Sequence, residues 1–116
     1  MLLPPYEIAR ALALFAAHAA GVRAIETVYP DFRNEAGMAA YAAHAARDGF
    51  TGMMAIHPAQ VAIINAAFSP TPEQVMHAQA IIAAFDANPG VGALQLDGEM
   101  IDAPHLKQAR ALLARV

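Results

Sequence analysis

Cysteine and tryptophan are both absent from the 116 residues. Without thiols the chain has no disulfide, thiolate zinc site, iron–sulfur cluster or cysteine nucleophile, a composition that fits a cytoplasmic protein. Charge is scarce as well, at 15% of residues, and the six arginines and single lysine are scattered along the chain. That spread, with a formal charge of -3, leaves no basic stripe to follow a phosphate backbone, so nucleic acid is not an expected partner. Long apolar runs are missing too: Arg10, His18 and Arg23 interrupt the N-terminal stretch well short of the roughly 20 residues that cross a bilayer. No membrane partner is expected. Ala17-His18-Ala19 loosely resembles a secretory cleavage site, but Pro4, Pro5 and Glu7 stand where a basic segment belongs, so no secretory leader is expected. Nor does the chain contain G-x-S-x-G, H-E-x-x-H, G-x-G-x-x-G or a phosphate-binding G-x-x-x-x-G-K-S/T.

What it has in quantity is alanine, about a quarter of all residues, within a hydrophobic share of 58%. That supports one domain with a real core and excludes disorder by polarity. Pro4-Pro5 opens a helix running to about Ala20, with Gly21 as its left-handed stop and Ile8, Leu12 and Phe15 as its expected buried stripe. Residues 22–29 read as a strand ended by Pro30-Asp31. Asn34 caps the next helix, with Met38, Tyr41, Ala42 and Ala45 on one face and Gly49 beyond its end. Residues 53–57 form a second strand, and Pro58 starts a helix that continues through Val61, Ile64 and Asn65.

Thr71, Pro72 and Gln74 spell a capping box for a further helix, whose apolar stripe is Val75, Ala78, Ile82 and Phe85. Asp97-Gly98 suits a type I′ turn between residues 93–96 and 99–101, and Asp102 stands ready to cap a last helix with Leu106, Leu112 and Leu113 facing inward. Strands alternating with helices imply parallel pairing through right-handed crossovers. Two short parallel strands do not bury both faces of a sheet. The chain is therefore expected either to complete itself with neighbouring copies or to be the end of something longer.

Candidate chemistry is thin. The histidines at 18, 44, 57, 77 and 105 have no i, i+4 partners, so a histidine metal site would need tertiary coincidence. His57 stands apart because it ends a buried strand, and in a barrel the C-terminal strand ends form the catalytic face.

Two motifs narrow the field. Gly49-Phe50-Thr51-Gly52-Met53-Met54-Ala55-Ile56-His57-Pro58-Ala59-Gln60, followed by Asn65, Phe68 and Ser69-Pro70, is the first. Asp97-Gly98-Glu99-Met100-Ile101-Asp102-Ala103-Pro104-His105 is the second. Together with Ala19-Ala20-Gly21, Asp31-Phe32 and Gly37, the chain resembles the C-terminal part of the citrate lyase beta-subunit-like family, which includes malyl-CoA and citramalyl-CoA lyases.

The resemblance implies an α/β fold: the C-terminal βαβα portion of a TIM (β/α)8 barrel plus a C-terminal β-hairpin and lid helix. On it, residues 1–88 hold the last two β/α units with the preceding helix, and 89–116 the hairpin and lid. It implies Mg2+-dependent cleavage or condensation of a carbon–carbon bond in a 3-hydroxyacyl thioester of coenzyme A or an acyl carrier. By motif match, Asp102 is the proton-transfer residue, offered by the lid to a neighbouring subunit's site, and His57 and Gln60 lie at the coenzyme A rim. The implied metal ligands lie on earlier strands, upstream of this chain, and neither Glu26 nor Asp31 takes their place. Asn34 stands where many relatives carry an aspartate, which keeps the cap and removes a charge. The implied partner is a second and third copy in a trimer-like homo-oligomer, or a complementary chain with the missing strands. The alternative is a non-catalytic, oligomerising interaction module derived from the same family.

Overall fold

The computed structural model describes residues 2–116, which form two compact units divided between Phe68 and Ser69. The first unit opens with helix α1 (Pro4–Ala20), whose prolines occupy the first turn, where no backbone N–H is needed. It stops at Gly21, φ 69°, and the Val22 N–H returns 3.0 Å to the Ala17 carbonyl. Strand β1 (Ile25–Glu26) and helix α2 (Glu35–Asp48) follow, then strand β2 (Gly52–Met53), one 3₁₀ turn (Pro58–Gln60) and helix α3 (Val61–Phe68). β1 and β2 pair in parallel, Ile25 opposite Gly52 and Glu26 opposite Met53, as the crossover through α2 requires.

The expected strands over 22–29 and 53–57 are thus each two residues long in the ladder. Each strand has one partner, and side chains take over where the ladder ends: the Ile56 N–H and the Tyr29 carbonyl both bond to Gln60.

α2 forms as its caps dictate. The Asn34 Oδ1 accepts the Gly37 N–H at 2.9 Å, and Gly49 ends the helix at φ 110°. Its apolar face carries the core of this unit. Ala45 joins Leu14, Ala24 and Phe50, while Met38 and Ala42 join Met53 and Ile64.

The expected stripe on α1 is corrected: Ile8, Leu12 and Phe15 are 64%, 62% and 66% exposed, and Leu14 is the buried residue. Arg10, Leu14 and Ala17 share a face at i, i+4 and i+7. Arg10 is ion-paired to the buried Glu26, so the inward face of α1 carries an ion pair as well as the apolar Leu14 and Ala17.

The second unit comprises helix α4 (Pro72–Asp86), strands β3 (Ala93–Leu96) and β4 (Glu99–Asp102), and helix α5 (Ala103–Leu113). The Thr71–Gln74 capping box forms with bonds of 3.1 and 2.8 Å. β3 and β4 are antiparallel, joined by Asp97 and Gly98 at φ 50° and 83°, the two positive values that a type I′ turn needs. Ala78 and Ile81 of α4 pack with Ile101 of β4 and Ala109 of α5. Ala78 and Ile81 are therefore the buried residues of α4, with Ile82 and Phe85 partly buried beside them. Helix α4, grouped at the sequence level with residues 1–88, shares its core with the hairpin and α5. Among the described residues, no helix is long and apolar enough to cross a membrane.

Candidate functional site

Three groups of polar side chains stand out, two in the first unit and one in the second. The first sits where the chain leaves β1 and β2. His57 is extended (φ -148°, ψ 141°) before the Pro58–Gln60 turn, and its Nδ1 accepts the Ala59 N–H at 3.1 Å. In that neutral tautomer the ring hydrogen is on Nε2, the nitrogen left for a ligand. Phe32 stacks on the ring with centroids 4.5 Å apart and planes within 7°, and the Arg33 guanidinium lies 5.4 Å from the Phe32 centroid. His57 is thus exposed but held by a proline, a backbone bond and an aromatic face.

Gln60, three residues on, is 1% exposed. Its Oε1 accepts from the Ile56 N–H at 2.9 Å and its Nε2 donates to the Tyr29 carbonyl at 2.8 Å. The amide is a brace between the segments that follow the two strands, and it fixes the backbone from which His57 projects.

The second group is buried. Glu26 is 1% exposed, and its Oε2 takes Arg10 Nε and a terminal guanidinium nitrogen, both at 2.6 Å, while Oε1 accepts the Thr27 N–H at 2.9 Å. Arg10 also reaches Asp48 Oδ2 at 3.1 Å and lies over the Phe50 ring, 4.5 Å from its centroid. Burial works against the Arg10 charge, but the hydrogen bonds to Glu26 and Asp48 outweigh it and raise its pKa. Asp48 shows the complement: burial pushes its carboxyl up, and Arg10 and Arg47 more than reverse this, holding it below the ordinary 3.8.

The Tyr41 hydroxyl beside this pair is buried without a hydrogen-bond partner. Burial first, and then the Glu26 charge, raise its pKa above 10.0. A groove of about 530 Å³ lined by Arg10, Tyr29, Tyr41, His44, Arg47 and Asp48 opens over these groups. Sequence reasoning missed the network because Arg10 and Glu26 are 16 residues apart. A lone glutamate in an apolar strand and a lone arginine in an apolar helix were the available signal.

The third group lies at the hairpin's end. Asp102 is the last residue of β4 and precedes α5, and its carboxylate is 38% exposed. His105 Nδ1 lies 2.7 Å from Asp102 Oδ1 and 3.2 Å from the Asp102 backbone N. His105 also lines a groove of about 180 Å³ between α4 and α5, with Gln74, His77, Ala78, Gln108 and Leu112. His57 and Gln60 are thus brought together in one unit and Asp102 is placed in the other. No group of three or more His, Cys, Asp or Glu among the described residues could hold a metal ion.

Similar proteins give these groups a context. A family model of C–C bond lyases of the TIM-barrel fold matches residues 7–116. The chain is 44% identical over 107 residues to the mitochondrial citramalyl-CoA lyase of Rattus norvegicus, covering 90% of this chain and 32% of that protein. It is 39% identical over 109 residues to the citrate lyase subunit beta of Escherichia coli K12, covering 92% of this chain and 36% of the relative. It superimposes with a TM-score of 0.78 and 33% identity on the crystal structure of CitE from Mycobacterium tuberculosis in complex with magnesium, acetoacetate and coenzyme A. That match covers 91% of this chain and 39% of CitE. The chain spans about a third of the length of the curated relatives it matches. With its α/β units similar to a part of that barrel, the chain belongs to the C–C bond lyase family of the TIM-barrel fold.

Proposed function

We propose that this chain supplies barrel units and a hairpin–helix lid to a lyase that cleaves, or in reverse condenses, a 3-hydroxyacyl-CoA thioester. The observation that carries the reading is Asp102: an exposed carboxylate at the junction of β4 and α5, on the matching motif, with a histidine ring on one oxygen. In the cleavage direction a base takes the 3-hydroxyl proton and the carbon–carbon electron pair moves toward the thioester. A ketone or aldehyde and a thioester enolate result, and the enolate carbon then takes a proton. Asp102 is this chain's group for moving a proton at that centre. His57 offers Nε2–H and an aromatic face at the coenzyme A rim, and Gln60 serves that contact by fixing the backbone on both sides of it. Residues 89–116 act as the lid, which reaches the site of another copy or of a complementary chain.

Magnesium supplies Lewis-acid polarisation of the oxygens in such a reaction. The described residues do not fit it: Glu26 is committed to Arg10 and Thr27, and Asp48 to Arg10 and Arg47. The test is turnover of citramalyl-, malyl- and citryl-CoA by the assembly that contains this chain, wild type against Asp102→Asn. A fall of about a hundredfold or more in kcat, with folding retained, is expected. A second reading, a non-catalytic oligomerising module, draws on the exposed Ile8, Leu12 and Phe15. It requires association and no thioester cleavage in any assembly.

A further inference from the structure

We infer that His105 is a positioning residue for Asp102, holding its carboxylate through a shared proton rather than serving only as a helix cap. The inference rests on the reading of Asp102 as the proton-transfer group. One nitrogen, Nδ1, faces two atoms that make opposite demands. To cap the helix start it must present a lone pair to the Asp102 N–H, 3.2 Å away. To bond Oδ1, 2.7 Å away, a proton must lie between nitrogen and oxygen, because two lone pairs at that separation repel.

The shorter contact has the length of a charge-assisted N–H···O⁻ bond, and the longer one is at the outer limit for a neutral bond. The pair therefore carries one shared proton, with Nδ1–H donating to Oδ1. That bond holds the Asp102 carboxylate in one orientation, and its partner lies within the same motif. The ring borders the groove between α4 and α5, where His77 is the other titratable group and Gln74 and Gln108 are neutral. Gln74 is itself tied to Thr71, which leaves His77 as the titratable group that α4 presents to this groove.

The two roles predict opposite tautomers, which nitrogen NMR of the 116-residue chain reads directly without any activity. A hydrogen on His105 Nδ1 at neutral pH, moving to Nε2 in Asp102→Ala, supports the inference. An Nε2–H tautomer in the unsubstituted chain overturns it and leaves a plain cap.

Kinetics of the active assembly give the second arm. His105→Glu keeps a capping acceptor at the third helical position but cannot donate to Asp102. It should lower kcat about tenfold with KM little changed, the scale on which partners of functional groups act. His105→Gln, which can both accept and donate, should recover part of that loss. Wild-type kcat in His105→Glu overturns the positioning role. Unchanged turnover in Asp102→Asn would instead overturn the reading of Asp102 and take the catalytic part of this inference with it, and the tautomer measurement separates the two failures.

Discussion

At the scale of the residue, the Arg10–Glu26 pair decides more than its size suggests. A carboxylate 1% exposed is tolerable only with its charge and lone pairs answered, and Arg10 with the Thr27 N–H answers them. Arg10→Met should therefore cost about 3 kcal/mol in urea unfolding of the chain, because it strands a buried charge. Adding Glu26→Met should restore much of that loss, since an apolar pair of similar volume replaces the ions.

Asp48, whose folded-state pKa is lowered, contributes stability that is fully present above its ordinary 3.8 and is lost as pH falls through the lower folded value. Stability followed from neutral pH down past 3.8 should accordingly fall less steeply in Asp48→Asn than in the parent chain. None of this was legible in the sequence, where Arg10 and Glu26 each look like an ordinary polar interruption. Gln60 was visible only as a motif letter, because its two backbone partners, Tyr29 and Ile56, meet only after folding.

At the scale of the element, the local code reads well because it acts over a few residues. Asn34, Thr71 with Gln74, Gly21, Gly49 and the Asp97-Gly98 turn all do what their chemistry predicts. What local pattern could not give was strand length and helix orientation, since both depend on partners distant in sequence. Strand runs of apolar residues ended early where Gln60 took over the backbone bonds, and α1 turned its Arg10 face inward.

Gly37, in the first turn of α2, carries a prediction that opposes propensity. Alanine normally favours a helix interior over glycine by about 1 kcal/mol. Here a Cβ would lie 2.5 Å from Asn34 Nδ2 and 2.9 Å from its Cγ, and would collide with the Tyr29 hydroxyl. The short cap side chain would have to leave the Gly37 N–H, so Gly37→Ala should destabilise the chain by about 1 kcal/mol in thermal or urea unfolding.

At the scale of the whole molecule, the apolar side chains left outside the two cores point to further packing. Ile8, Leu12 and Phe15 form one exposed stripe on α1, and Ile25, Met54 and Ile56 are exposed along and beyond the paired strands. Surface of this kind promotes association. Sedimentation at rising concentration should show the chain associating, and Ile8→Glu with Phe15→Glu should weaken that association while helix content is retained. Fold class was legible at this scale because alternation of strand and helix, joined to two specific motifs, admits few architectures. The division after Phe68 was not, because α4 carries an apolar stripe that would suit either neighbour.

The measurement that tests the central claim most directly is kcat and KM for 3-hydroxyacyl-CoA cleavage by the assembly containing this chain, wild type beside Asp102→Asn. Cleavage by the wild type is expected, with a loss of about a hundredfold or more in kcat in Asp102→Asn, KM little changed and the circular dichroism spectrum unaltered. Undiminished turnover in Asp102→Asn, or no cleavage by the wild-type assembly, would contradict the proposed lyase function.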